Sequence, residues 1–166
     1  MAKPDPREVT TDGPHMPAEW ELHERTWMAW PSGSYTLGES DAEADEARGC
    51  WASVANAVVR FEPVTMVVNP GDEAIARKWL DERVEILAAP LNDAWMRDIG
   101  PTFVRNTDRS LSAVNWVFNG WGAQSWAQWD KDAKIAEVIA QATGVERLDS
   151  DLVNEGGGIH VNGAGT

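Results

Sequence analysis

Cysteine is almost missing from this chain of 166 residues: the single Cys50 excludes an intrachain disulfide and leaves no Cys/His set for structural zinc. Basic residues are scarce too, with 14 Lys plus Arg against 27 Asp plus Glu. The resulting net charge of −13 repels phosphate backbones and anionic membranes, so neither nucleic acid nor membrane is an expected partner. No run approaches the roughly 18 apolar residues that a membrane-spanning helix requires. The first ten residues, polar and proline-bearing, lack the apolar centre of a secretory signal, so the expected location is cytoplasmic. His15 and His23 flank Glu19 without a third ligand or a His-Glu-x-x-His spacing, which argues against a metal. Gly156-Gly157-Gly158 extends to neither a GxGxxG nor a Walker pattern, which argues against a dinucleotide or ATP.

What the chain has in abundance is tryptophan, ten in all, within a composition of 43% hydrophobic and 25% charged residues. That balance is the one of a globular domain with a real core. Most of the indoles are expected in that core and a few along a pocket.

Residues 1–15 read as a flexible arm. The bulky run Arg25–Pro31 reads as a buried strand leaving into the Pro31-Ser32-Gly33 loop. From Asp41 to Phe61, Ala47, Cys50, Trp51, Val54, Val58 and Phe61 recur at helical spacing, behind an acidic first turn that suits the helix dipole. Val64–Val68 is a short unbroken apolar run, the mark of a strand covered on both faces. A short helix over Asp72–Leu80, a strand over Val84–Leu87, a segment Ala94–Val104 broken by Gly100-Pro101, a strand over Leu111–Phe118 and a helix over Lys131–Thr143 ending at Gly144 complete the order. Strands interleaved with single helices predict an α/β or α+β fold with mixed sheets.

Two segments carry chemistry. The first runs from Asn92 to Pro101 and joins Asp93, Trp95, Arg97 and Asp98 ahead of a Gly-Pro break. If extended, it sends Trp95 and Arg97 to one face and Asp98 to the other, and a turn near Asp93 would alter this; ion pairs and core packing are the ordinary uses of such residues. The second is Glu155, three glycines and His160: a carboxylate, a backbone free to approach a bound group, and an imidazole for proton transfer. The ordinary role of Asn162-Gly163 is a type I′ turn. Trp121, Trp126 and Trp129 admit a stacking platform for a sugar or a base.

Taken together, Asp98 before Gly100-Pro101 and the stretch Glu155-Gly156-Gly157-Gly158-Ile159-His160-Val161-Asn162-Gly163 resemble the guanidine-modifying hydrolases, specifically the agmatine deiminase branch of the peptidyl-arginine deiminase-like family. Met16–Glu21 and His23–Pro31 resemble that branch's opening, and Asn115–Gly122 its middle signature, so the likeness covers Met16 to Thr166. It implies a pentein fold, a β/α propeller of ββαβ modules. Residues 16–166 would be its leading modules, an incomplete single catalytic domain.

The chemistry the resemblance implies is hydrolysis of the guanidinium of agmatine to N-carbamoylputrescine and ammonia through a cysteine-linked intermediate, with no cofactor and no metal. The partner is then a small cationic guanidine, and a homo-oligomer is compatible with the full-length form. By resemblance Asp98 and Glu155 are substrate-binding carboxylates, Trp95 is a pocket wall and His160 is the general acid/base. Two departures stand out. The family's nucleophilic cysteine lies later than Thr166, so this chain by itself is expected to be inactive. An aspartate of the pattern is replaced by Asn162, a loss of one charged hydrogen bond worth about 1.5–3 kcal/mol, or roughly ten- to a hundredfold in rate. The rival readings are an arginine or peptidyl-arginine deiminase on the same scaffold, a non-catalytic guanidine-binding pseudoenzyme, and a tryptophan-lined sugar module.

Overall fold

The computed structural model of the chain describes residues 13–33, 35–164 and 166. Most of the expected N-terminal arm therefore lies outside the described residues; its last member, His15, exchanges backbone hydrogen bonds with Arg105.

Three parallel strands, β1 (Thr26–Ala29), β2 (Val64–Val68) and β3 (Glu85–Ala88), make the first sheet in that order, joined by α1 (Asp41–Val58) and α2 (Glu73–Trp79). All five residues of β2 are buried, as its unbroken apolar run requires. Alternation divides them between two cores. Val64, Met66 and Val68 pack with Ala52, Ala55, Ala76 and Leu80 beneath the helices, whereas Val67 joins Ala29, Leu91, Ile99, Phe118, Ile135 and Ile139 on the opposite face. Both crossovers thus cover one face, and the other is left for the rest of the chain.

Ser40 caps α1 by accepting the Glu43 N–H while the Glu43 carboxylate accepts the N–H of Ser40 (3.0 Å), a reciprocal box worth about 1 kcal/mol. The single apolar face expected for this helix is divided. Ala52 and Ala55 are buried and Trp51 half-buried, but Cys50, Val54 and Phe61 face outward. The apolar positions span a wider arc than one sheet covers, and the sheet takes the side where alanines allow close approach.

The second sheet is a ββαβ unit, the module the resemblance predicts. β4 (Thr102–Arg105) and β5 (Leu111–Val117) form an antiparallel hairpin, and a crossover brings β6 (Glu146–Val153) parallel to β5. The crossover carries α4 (Gly120–Ala123), one turn with every residue at positive φ, and α5 (Ile135–Thr143). α5 buries Ile135, Ala136, Ile139 and Ala140 and stops at Gly144 in the left-handed region.

The segment after Asp93 is not extended. Met96–Ile99 forms the single helical turn α3, closed by Ile99 N–H to Trp95 C=O (3.0 Å) and Gly100 N–H to Met96 C=O (2.9 Å). Pro101, which has no N–H to give, ends it there. In a helical turn residues three apart share a side, so Trp95 and Asp98 lie on neighbouring positions instead of opposite faces.

Candidate active site

The loops leaving β1, β2 and β3 gather at the carboxyl ends of the first sheet, the end at which parallel sheets collect ligands. Side chains standing in for backbone hold them there. Asn69, just past β2, accepts the Leu91 N–H (2.8 Å) and donates to the Leu91 C=O (3.2 Å). Asn92 accepts the N–H groups of Lys131 (2.8 Å) and Asp132 (3.2 Å), and Asp132 returns the bond by accepting those of Asn92 (2.8 Å) and Asp93 (3.1 Å). Asp93, itself buried, accepts from the Thr36 hydroxyl (2.6 Å). The loop that carries α3 is therefore tied to both sheets before any ligand arrives.

On α3 stands Asp98. Its Oδ1 accepts the Gly157 N–H (3.0 Å) and its Oδ2 the indole N–H of Trp121 (3.0 Å). The glycine run explains itself here: a Cβ on Gly156 would collide with the Arg97 carbonyl and one on Gly157 with Asp98 Oδ1. Backbone closes on the carboxylate because no side chain intervenes. Gly157→Ala is expected to push the carboxylate away and lower stability by about 1–2 kcal/mol, checked by urea unfolding.

Trp121, a candidate for a stacking platform, is instead the partner of Asp98, a role the sequence does not show. It sits at φ 58°, ψ 44°, a left-handed conformation costing a bulky residue about 1–2 kcal/mol. Its ring lies edge-on to Phe118 (5.1 Å between centroids) and stacks on Trp126 (5.6 Å, 21° between planes). With Gly33, Asn92, Asp93, Ala127 and Gln128 the two indoles line a hollow of about 250 Å³. The flanking glycines Gly120 and Gly122 were the visible signal of unusual backbone; that the indole would reach Asp98, 23 residues earlier, was not visible. A larger hollow of about 630 Å³ lies beside Arg25, Trp27 and Glu85, at the opposite ends of the strands. Four charges along it pair with one another, Arg25 with Glu85 (2.6 Å) and Arg105 with Glu21 (3.1 Å), whereas the smaller hollow is lined by Trp121, the partner of Asp98, and is the better candidate.

The remaining expected residues lie around this centre. Trp95, half-exposed, leans edge-on against Trp51 (5.8 Å) and is not part of the hollow's lining. Glu155, half-buried, precedes the Gly156–Gly158 turn. The His160 ring is exposed and, among the described residues, accepts or donates no hydrogen bond; its charged neighbour is Glu19. Glu19 itself ion-pairs with Arg97, which holds that carboxyl below the usual range. Arg97 thus serves structure, whereas Asp98 forms no ion pair among the described residues. Asn162 Oδ1 accepts the N–H groups of Ala164 (2.8 Å) and Thr166 (3.1 Å). The turn is not type I′, since only Gly163 of the pair has positive φ. The structure therefore joins Asp98, Gly157 and Trp121, and leaves His160 and Asn162 exposed.

Residues 15–166 match the Porphyromonas-type peptidyl-arginine deiminase family. The chain is 57% identical over 151 residues to a Streptomyces coelicolor protein provisionally named agmatine deiminase, covering 91% of this chain and 44% of that one. It is 40% identical over 160 residues to the agmatine deiminase of Stutzerimonas stutzeri, covering 93% and 43%. The structure of the Enterococcus faecalis agmatine deiminase superposes with a TM-score of 0.82 at 32% identity, over 98% of this chain and 44% of that one. The chain thus spans less than half the length of these relatives. The family match and the shared fold together establish that the chain belongs to the Porphyromonas-type peptidyl-arginine deiminase family and has the pentein-type fold of the agmatine deiminases.

Proposed function

We propose that this chain supplies the guanidinium-gripping part of an agmatine-hydrolysing site, in a polypeptide of its relatives' length. The observation that carries the reading is Asp98: a carboxylate with each oxygen already oriented by one N–H donor and with one lone pair of each still open. A flat guanidinium offers paired N–H groups to such an edge, and paired charge-assisted bonds fix its plane. Trp121 and Trp126 flank the adjoining hollow with faces suited to a delocalised cation.

Oriented in this way, the central carbon accepts a cysteine thiolate, forming a C–S bond. One nitrogen takes up a proton and leaves as ammonia. Water then adds to the same carbon, the C–S bond breaks, and the ureido product departs with the thiolate restored. His160 is the proposed proton carrier and Glu155 a supporting carboxylate. Cys50 is not the nucleophile, for it faces outward from α1. No helix among the described residues is long and apolar enough to cross a membrane.

The test is ammonia release from agmatine, arginine and a peptidyl arginine by a polypeptide of the relatives' length. Preference for agmatine supports the reading. Preference for a peptidyl arginine, which the name of the matched family favours, replaces it. In the same polypeptide Asn162→Asp is expected to raise kcat/KM about ten- to a hundredfold. Oδ1 stays in the local turn, and the second oxygen brings negative charge where the amide NH2 now stands. An unchanged rate would remove Asn162 from the site.

A further inference from the structure

His23 stands between two acceptors. Its Nε2 lies 2.8 Å from the Glu19 carbonyl and its Nδ1 3.2 Å from both carboxylate oxygens of Glu62. A carbonyl and an ionised carboxylate donate nothing, so a neutral imidazole, with one N–H, satisfies one contact and turns a lone pair on the other. The imidazolium, with two N–H groups, makes both. Glu62 does not supply the missing proton, because the Thr26 hydroxyl and His23 hold its carboxyl below the usual range. The hydrogen bond to Glu62, and after it the Glu19 carbonyl and the charges of both carboxylates, keep the exposed ring's pKa above the ordinary 6.5 against the opposing effect of burial. Around the larger hollow that His23 also borders, Arg25 pairs with Glu85 and Arg105 with Glu21, and Glu24 and Arg109 complete the charged lining.

From Glu19 the contacts lead to the turn that carries Asp98. The Glu19 carboxylate accepts from Nη2 of Arg97, the residue before Asp98, and the same Nη2 reaches the Ile159 carbonyl (3.4 Å). The Arg97 carbonyl packs against Gly156, and Ala18, next to Glu19, packs against Gly163, both so closely that a Cβ on either glycine would collide. Glu21 N–H to Ala18 C=O (3.0 Å) closes the turn that presents Glu19. Residues 18–23 therefore bridge the start of β2 to α3 and to the loop that follows β6. Glu21, paired with Arg105, holds the same segment to β4, so loss of one His23 bond shifts Glu19 without freeing the segment.

We propose that His23 is a positioning residue for Asp98: its imidazolium fastens Glu19, whose ion pair with Arg97 sets the α3 turn against Gly156 and Gly157, and loss of its proton loosens that turn. The catalytic consequence rests on the reading of Asp98 as the guanidinium ligand, whereas the tether itself is a property of the fold. Its sign follows from the raised pKa. The tether is complete below about pH 6.5 and is lost as the pH rises through the folded-state value. Glu62→Gln relieves the dependence, since an amide can turn its NH2 towards Nδ1 and let a neutral ring keep its N–H for the Glu19 carbonyl.

A pH titration of the 166-residue chain by NMR follows the His23 ring directly, beside those of His15 and His160. The expected result is a His23 pKa above 6.5, with the Gly157 amide and Trp121 indole N–H signals, both donors to Asp98, moving in part with the same midpoint. His23→Ala removes that component; what remains belongs to other groups, His160 among them. Glu62→Gln lowers the His23 midpoint and shrinks the component. In a polypeptide of the relatives' length, kcat/KM for agmatine is expected to fall about two- to tenfold more in wild type than in Glu62→Gln as the pH passes the His23 midpoint. A His23 pKa at or below 6.5, Gly157 and Trp121 signals that titrate alike in wild type and His23→Ala, or equal pH profiles for wild type and Glu62→Gln, overturns the proposal. Signals that move with His23 in a polypeptide releasing no ammonia from agmatine support the tether and sink the agmatine reading instead.

Discussion

Asp98→Asn in a polypeptide of the relatives' length is expected to lower kcat/KM for agmatine by about 10²–10⁴, the cost of truncating one partner of a hydrogen-bonded charge pair. The argument rests on how the two oxygens are already used. An amide keeps one acceptor for the Gly157 N–H, but its NH2 then faces the Trp121 indole N–H, donor against donor. Turning the amide over exchanges the conflict without removing it. The side chain must leave its position, and the charge that attracts the guanidinium is gone as well. Trp121→Phe separates these contributions, since it keeps a ring in the aromatic group but frees Asp98 Oδ2. A smaller loss, about tenfold, is expected from it. Ammonia release measures both variants, and calorimetry with agmatine shows whether binding or turnover is lost. Full activity in the Asp98→Asn protein would dismiss Asp98 as the guanidinium ligand.

The parts of the fold legible in the sequence are those fixed by local pattern. Val64–Val68 is a strand within its expected bounds because an apolar run that short is stable only when buried on both faces. Helix α1 starts where Ser40 and Glu43 form their box, and α5 stops at Gly144. What local pattern does not fix is not legible. The turn at Met96–Ile99 is too short to show periodicity and is held by contacts with Gly156–Gly158, some 60 residues later, so the sequence leaves extended and turned forms both open. The outward positions of Cys50, Val54 and Phe61 depend on which arc of the helix the sheet selects, and both arcs were apolar. At the site, the resemblance points to Asp98, Trp95, Glu155, His160 and Asn162, and the sequence offers Trp121 only as a stacking ring; its bond to Asp98 is visible only in the structure. Its strained backbone depends on tertiary contacts, and propensity disfavours it.

Asp132 gives the largest effect expected on stability, and one that depends on pH. It is completely buried, and burial raises its carboxyl from an ordinary 3.8 to about 6; the N–H groups of Asn92 and Asp93 oppose that rise, and the charges of Asp93 and Asp130 add to it. Below about pH 4 this carboxyl is protonated in the folded and unfolded chain alike. As the pH climbs towards 6 the unfolded chain releases the proton while the folded chain retains it, so stability is lost across that window, by about 1–3 kcal/mol in total. Asp132→Asn, isosteric with the protonated acid, is expected to flatten the dependence without abolishing the fold. Asp132→Ala behaves differently. It leaves the buried N–H groups of Asn92 and Asp93 without their acceptor and releases the loop that carries α3, at a cost of about 2–4 kcal/mol. Urea unfolding at pH 4.5 and pH 7.5 distinguishes the variants: the wild-type chain should be less stable at the higher pH relative to Asp132→Asn, and Asp132→Ala should be weakened at both. Equal slopes for wild type and Asp132→Asn would show that the buried carboxyl does not govern this window.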